Sequence, residues 1–490
     1  MNFKEFSDLA KKHKTVPVYK RVMADLLTPI SVYMKLKKTS EYSFILESVE
    51  HGNQYGRYSF IGRNPDCIFR SRKGKTEICE SGKWYEDSSR YLDLLRKIQS
   101  QYSAPKLSGL PNFSGGLVGY LGYESIIWKE KIPIYENDTL QCPDAVFMLF
   151  HELIAFDHLK NQIILFSNVH IDDGMDLKKA YDMAVNKIDQ LGEELHIDIN
   201  YQTDSIVRQS KSKLTSDFSK EDYKEAVKKV KEHIKSGDVF QLVLSQRFKR
   251  DSDIDPITLY RALRSINPSP YMFHLHLDDF NIIGASPELL VKVDDEEIEI
   301  RPIAGTSKRG NNETEDLLLA DQLINDDKER AEHLMLVDLG RNDVGRASEY
   351  DSVQVKDFMK VEYYSHVMHI VSDVRGILRK DKDVFDALYS GFPAGTLTGA
   401  PKIRAMEIIN DLEPHRRGVY SGAIGYFDFT GNMNTCIAIR TMVVKDGRIY
   451  FQSGAGIVHD SDPDMEYEET INKAKAINSA IDLAENGLIA

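Results

Sequence analysis

The sequence predicts an α+β protein, with antiparallel strands in runs and helices between them, and not a doubly wound parallel sheet. Two observations carry this. Strand-like stretches follow one another without an intervening helix, as in SFILESVEHGNQYGRYSFIG and again near 271–304. Helical periodicity appears in separate blocks such as DLKKAYDMAVNKIDQLGEEL.

In order, a short helix is expected over 3–14. VPVYKRVMADLLTPISVYMKL carries β-branched runs on both sides of Thr28 and Pro29 and reads as strands. SFILESVEHGNQYGRYSFIG gives two strands around a polar turn at 51–56. FSGGLVGYLGYE spaces Gly116, Gly119 and Gly122 as GxxGxxG and not as GxGxxG, so close backbone packing replaces a dinucleotide loop. DAVFMLFHELIAFDHLKNQIILFSNV alternates like a meander of strands, followed by the amphipathic helix. A polar, aperiodic linker at 201–217 then separates 1–200 from 218–490.

Past the linker, Ser219 and Asp222 make a capping box for a helix ending at Gly237. GDVFQLVLSQRFKR is a strand with Val239, Gln241, Val243 and Ser245 on one face. A helix over 256–266, strands near 271–304, a helix within 326–343, strands near 361–376 and a helix from Asp383 come next. GFPAGTLTGAPKIRAMEII leads into a further helix; in it Gly399 is followed by Ala-Pro-Lys, so no Walker loop forms and ATP chemistry is not supported. Strands and a last acidic helix close the chain, without internal repeats.

At 490 residues the chain can hold two or three domains, or one large core with a partner lobe. A formal charge of −13 argues against non-specific nucleic-acid binding, so an anionic substrate must be attracted by local groups. Cys67, Cys79, Cys142 and Cys436 lack CxxC spacing, which suits a reducing compartment. With no signal-peptide core at the N-terminus and no membrane-length apolar run, the expected location is cytoplasmic.

Two stretches carry chemistry. In DDKERAEHLMLVDLGRND, Glu329, Glu332 and His333 fall at i, i+3 and i+4 on one helix face, and Gly340 ends the apolar run. SDPDMEYEETINKAKAI repeats the spacing with Glu466 and Glu469 behind Ser461 or Asp462 as cap. Carboxylates three apart on two helices can hold a hard divalent cation through oxygen. The alternative is a solvated Glu329 and an ordinary i,i+4 ion pair of Glu469 with Lys473.

Taken together, PIAGTSKRG, DDKERAEHLMLVDLGRNDVGR, EYYSHVMHIVSDVRG, GFPAGTLTGAPKIRAMEII, YSGAIGYFD and SGAGIVHDSDPDMEYEET resemble the chorismate-utilising enzymes, co-linearly and over nearly all of 218–480. The resemblance implies a large α/β/β/α sandwich, two antiparallel sheets flanked by helices. It implies Mg²⁺ on Glu332 and Glu469, with Glu329 and Glu466 orienting its waters. It implies a chorismate site built from Gly305, Thr306, Thr396, Tyr420, Arg440, Gly454, Ala455 and Gly456. Arg440 offers a planar fork for a carboxylate and the glycines admit backbone N–H groups, although a structural ion pair and a tight turn would explain the same residues. His369, alone a candidate core residue, matches the family's acid/base histidine, with Glu329 and Thr396 completing the catalytic set.

Two positions divide the family. Water-adding relatives carry lysine where this chain has Gln241, and relatives that attack the ring covalently carry lysine where it has Ala304. What remains is attack by ammonia, loss of the C4 hydroxyl and elimination of pyruvate, which gives anthranilate and opens tryptophan biosynthesis. Leu46, Glu47 and Ser48, with Pro270, Tyr271 and Met272, resemble the tryptophan-sensing site of the anthranilate-forming members, and tryptophan is therefore the expected feedback inhibitor. The two regions fill the chain, so ammonia is expected from a separate glutamine amidotransferase subunit, typically in a two-plus-two assembly. Two other readings stay open: a synthase of the same fold that stops at aminodeoxyisochorismate or aminodeoxychorismate, and a catalytically silent tryptophan-binding regulator.

Overall fold

The computed structural model describes residues 1–38, 40–48, 56–133, 137–196, 212–310, 312–363 and 367–488. Among these residues the strands form two antiparallel sheets of twelve strands each. In the first sheet, Thr15–Met23, Gln162–His170, Glu152–Asp157, Tyr58–Arg63 and Tyr42–Glu47 lead directly into Tyr271–Leu277, Phe280–Ser286, Thr441–Lys445, Arg448–Ile457 and Gln241–Asp251. The second sheet has the same plan, with Gly116–Leu121 hydrogen-bonded to Ala423–Asp428 at its seam. Both sheets therefore run without a break between strands from either side of the 201–217 stretch. Of that stretch, 201–211 lies outside the described residues, and Thr215–Ser216 pairs with Lys249 and Phe248. The same is true of 51–55 in the polar turn, and of Ser365 and His366.

Three apolar layers hold the molecule together. Phe44, Met148, Phe150, Phe166, Phe273, Ile282 and Ile424 pack between the sheets. Phe6, Tyr33, Ile188, Tyr260 and Ile477 cover the outer face of the first sheet, and Leu95, Val337 and Leu388 that of the second. This is the α/β/β/α sandwich. With both faces of each sheet covered, central strands become apolar throughout: Ile163 and Leu165 face helices while Ile164 and Phe166 face the other sheet. Gly119 lies in such a strand, and a Cβ there would run into the Val146 carbonyl.

The structure departs from the expected elements in four places. The 145–170 stretch is not one meander, because Ala145–Phe150 belongs to the second sheet and Glu152–Asp157 and Gln162–His170 to the first. Pro29–Lys37 is a helix, since Thr28 accepts from the Ser31 N–H at 3.1 Å and Pro29 pre-sets the first turn. A further helix, Glu313–Asn325, precedes the first acidic helix. That helix runs Asp327–Gly345 and does not stop at Gly340, whose bare Cα lets the helix lie against Pro302 and Val374.

Candidate active site

Asp326 caps the first acidic helix by accepting from the N–H groups of Lys328 and Glu329 at 2.9 and 3.0 Å. The second acidic helix, Pro463–Glu485, is capped in the same way by Asp462. The charge of Lys328 on the first helix reaches Glu466 on the second, where it opposes a net upward shift. Burial raises the pKa of Glu329, and Glu332 adds like-charge repulsion. Burial and Glu469 raise that of Glu466. Among the described residues neither Glu329 nor Glu332 makes an ion pair or a side-chain hydrogen bond. Glu469 does pair with Lys473, at 2.7 Å.

In charge, this acidic set, half-buried at Glu329, Glu332 and Glu466 and exposed at Glu469, fits a cation. In placement it is incomplete, since among the described residues no three His, Cys, Asp or Glu side chains are gathered closely enough to hold a metal ion. Mg²⁺ asks for only one or two carboxylates and keeps its waters, so the donors remain compatible with it.

The remaining candidates surround these helices. Gly305 has φ +69°, and a Cβ on it would lie 3.2 Å from Glu329 Oε2, so glycine lets the strand Ile303–Lys308 approach the acidic helix. On the paired strand Val367–Ile377, His369 Nδ1 lies 3.0 Å from the Gly305 carbonyl and 3.1 Å from the Thr306 hydroxyl. The carbonyl can only accept, so Nδ1 carries the proton and Nε2 is the basic nitrogen of the neutral ring. Burial pushes the His369 pKa down, and Arg440 pushes it further.

Arg440 holds the left-handed conformation at φ +49° and donates from Nη1 to Asn267 Oδ1 at 3.3 Å. Burial lowers its pKa, partly offset by Glu288. Lys473 donates to the Gly454 carbonyl at 3.0 Å. A Cβ on Gly454 would lie 3.0 Å from the Tyr420 hydroxyl, and one on Gly456 2.9 Å from Gln241 Nε2. The Gly454, Ala455, Gly456 run is thus a strand segment beside Gln241–Asp251, and not the tight turn weighed as its alternative.

Sequence reasoning missed Glu288. It accepts from the Thr396 hydroxyl at 2.9 Å, and burial pushes its pKa up to about 7 although Arg440 and Lys473 oppose the shift. A carboxyl so placed can deliver a proton at neutral pH.

The candidate tryptophan residues are brought together but not onto one face. The strand Tyr42–Glu47 pairs with Tyr271–Leu277, setting Glu47 opposite Met272 and Leu46 opposite Phe273. Glu47 and Met272 point to the helices: the Glu47 carboxylate accepts from the Tyr260 hydroxyl at 2.6 Å and pairs with Arg264 at 3.2 Å, while Met272 sits in the outer core. Leu46 and Tyr271 face the space between the sheets. Strand alternation thus divides the candidates between two faces, Glu47 and Met272 toward the helices and Leu46 and Tyr271 toward the other sheet, with Ser48 just past the strand end. The Ser48 hydroxyl is buried with no hydrogen-bond partner among the described residues.

The α/β/β/α sandwich thus carries a neutral histidine and a carboxyl protonatable near neutrality, both under the influence of Arg440, together with two acidic helices: groups suited to acid–base chemistry on a small anion. The family profile described as chorismate binding enzyme matches residues 41–479. Anthranilate synthase component 1 of Acetivibrio thermocellus is 46% identical over 98% of both chains, and that of Aquifex aeolicus is 43% identical over 99% of this chain and 98% of its own. The crystal structure of anthranilate synthase component I from Streptococcus pneumoniae superposes with TM-score 0.78 at 38% identity, covering 94% of this chain and 99% of that one. The menaquinone-specific isochorismate synthase of Escherichia coli shares the fold, with TM-score 0.70 at 17% identity over 98% of each. The chain belongs to the chorismate-binding enzymes, among its anthranilate synthase component 1 members. Among the described residues no helix is long and apolar enough to cross a membrane.

Proposed function

We propose that this chain converts chorismate and ammonia to anthranilate and pyruvate. The observation that carries the reading is the acid–base pair around Arg440, which acts on both groups: Glu288 is protonatable near pH 7 and His369 is neutral. Ammonia attacks ring C2 while the C4 hydroxyl takes the proton of Glu288 and leaves as water, and the extra proton of the new ammonium group restores the Glu288 acid. His369 Nε2 then accepts the C2 proton as the ring–oxygen bond at C3 breaks, and the enolpyruvate released takes up a proton to become pyruvate. Arg440 binds one substrate carboxylate as a fork, and Thr396, which donates to Glu288, orients the acid. Gln241 cannot activate water and Ala304 cannot attack the ring, so addition of water and a covalent adduct are both disfavoured. Mg²⁺ would be held by Glu332 and Glu469, with Glu329 and Glu466 orienting its waters; bound there it neutralises a substrate carboxylate.

The rest of the reading concerns supply and control. Ammonia comes from glutamine through an amidotransferase subunit, and tryptophan inhibits from the inter-sheet face of Leu46 and Tyr271, next to the buried Ser48 hydroxyl. Asn267, which ends the helix Pro256–Ile266 just before the Tyr271–Leu277 strand, accepts from Arg440, which gives an occupant of that face a path to the substrate fork. The test is anthranilate fluorescence from chorismate, Mg²⁺ and a nitrogen donor. The isolated chain should turn over with ammonium and stay silent with glutamine until the partner is added. No anthranilate with ammonium would refute the activity, and glutamine-driven turnover by the single chain would refute the partner.

A further inference from the structure

We infer that Arg417, held by Glu413, is a positioning residue that sets the three segments carrying Thr396, Tyr420 and Gly454 against one another without touching substrate. The inference rests on the reading of the cleft as a chorismate site. Both side chains are buried, at 2% and 3% exposure. Every N–H of the guanidinium is used. Nε donates to Glu413 Oε2 at 2.9 Å, and Nη1 to the Leu397 carbonyl at 2.6 Å and the Ser421 hydroxyl at 3.3 Å. Nη2 donates to the Val243 carbonyl at 2.9 Å and to Glu413 Oε1 at 2.7 Å.

Leu397 and Val243 belong to two other segments, while Glu413 and Ser421 lie four residues either side of Arg417 on its own. Leu397 follows Thr396, whose hydroxyl orients Glu288. Val243 and Ser245 are paired with Gly456 and Gly454, and Glu413 Oε1 also accepts from the Ser245 N–H and hydroxyl at 2.8 and 2.7 Å. Ser421 follows Tyr420 and holds φ +63°, a conformation that a residue with a side chain keeps only when its surroundings impose it. Glu124 fixes the backbone beneath, accepting from the N–H groups of Arg417 and Gly418 at 2.7 and 3.0 Å.

Stability alone does not account for the pair. Removing two charges from water costs about as much as their attraction returns, and an apolar pair of similar volume often serves a core equally well. An apolar pair cannot hold a carbonyl from each of two segments and a hydroxyl from a third, and a lysine, which donates from a single point, cannot span them.

The test compares steady-state kinetics of the full chain with two variants, using chorismate and ammonium as substrates. Arg417→Lys keeps a charge opposite Glu413 but loses the fork; the double variant Arg417→Met, Glu413→Gln removes both charges at similar volume. Both should fold and melt cooperatively, with the KM for chorismate raised about tenfold or more and the KM for ammonium unchanged. A fall in kcat with an unchanged chorismate KM is what loss of folded enzyme produces, and it would overturn the inference. So would failure of both variants to fold, which would make the pair a folding element only. A wild-type chain that makes no anthranilate overturns the underlying reading of the cleft, and the inference with it.

Discussion

Glu288 and His369, both within the field of Arg440, hold opposite protonation preferences, and the cause is burial acting on opposite charge types. Desolvation disfavours the carboxylate, raising Glu288 to about 7, and disfavours the imidazolium, lowering His369. Since the acid must be protonated and the base neutral, kcat/KM should fall about tenfold per pH unit above pH 7 and fall again on the acid side. Glu288→Gln should cost about 10²–10⁴ in kcat at neutral pH with the fold intact. A pH profile flat from 7 to 9, or a fully active Glu288→Gln, would remove Glu288 from the chemistry. The sequence did not mark Glu288, which lies between two strands with no periodicity to single it out, and only folding places Thr396 beside it. The four helix carboxylates stand out by their spacing of three on two helices, whereas His369 and Arg440 are candidates only through the family resemblance, since neither stands out from its own strand.

At the scale of elements, helices announced themselves through caps: Ser219, Asp383 and Asp462 each accept backbone N–H groups where the sequence placed a start. At Thr28–Pro29 a cap and a first-turn proline start a helix where the β-branched runs on both sides suggest strands. The strands of 145–170 were legible as strands and not by sheet, because an apolar run covered on both faces carries no sign of its partner. The first acidic helix also bears a pH-sensitive contact. His333 is fully buried, with Nε2 2.7 Å from the Ser372 hydroxyl, and burial lowers its pKa to about 4. Unfolded, it titrates near the ordinary 6.5, so between pH 6.5 and 4 the unfolded chain binds more protons and stability is lost as pH falls. His333→Gln should flatten that loss by up to about 1.4 kcal/mol per pH unit relative to wild type. Parallel urea midpoints for the two proteins across this range would contradict it.

At the scale of the whole molecule, the two parts of the chain share both sheets, so a ligand at the Tyr42–Glu47 and Tyr271–Leu277 seam touches both. The resemblance supplied the residues of that seam, and the register decided which of them face the inter-sheet space. Ser48→Phe should fill that space and relieve tryptophan inhibition while sparing most uninhibited activity; unchanged tryptophan sensitivity would move the inhibitor elsewhere. The central claim, that the cleft aminates chorismate and then eliminates pyruvate, is tested most directly by following chorismate and ¹⁵N-ammonium by NMR on the isolated chain with Mg²⁺. The account predicts ¹⁵N-anthranilate and pyruvate in equal amounts. Accumulation of an aminated intermediate without pyruvate, or of isochorismate or salicylate, would contradict it.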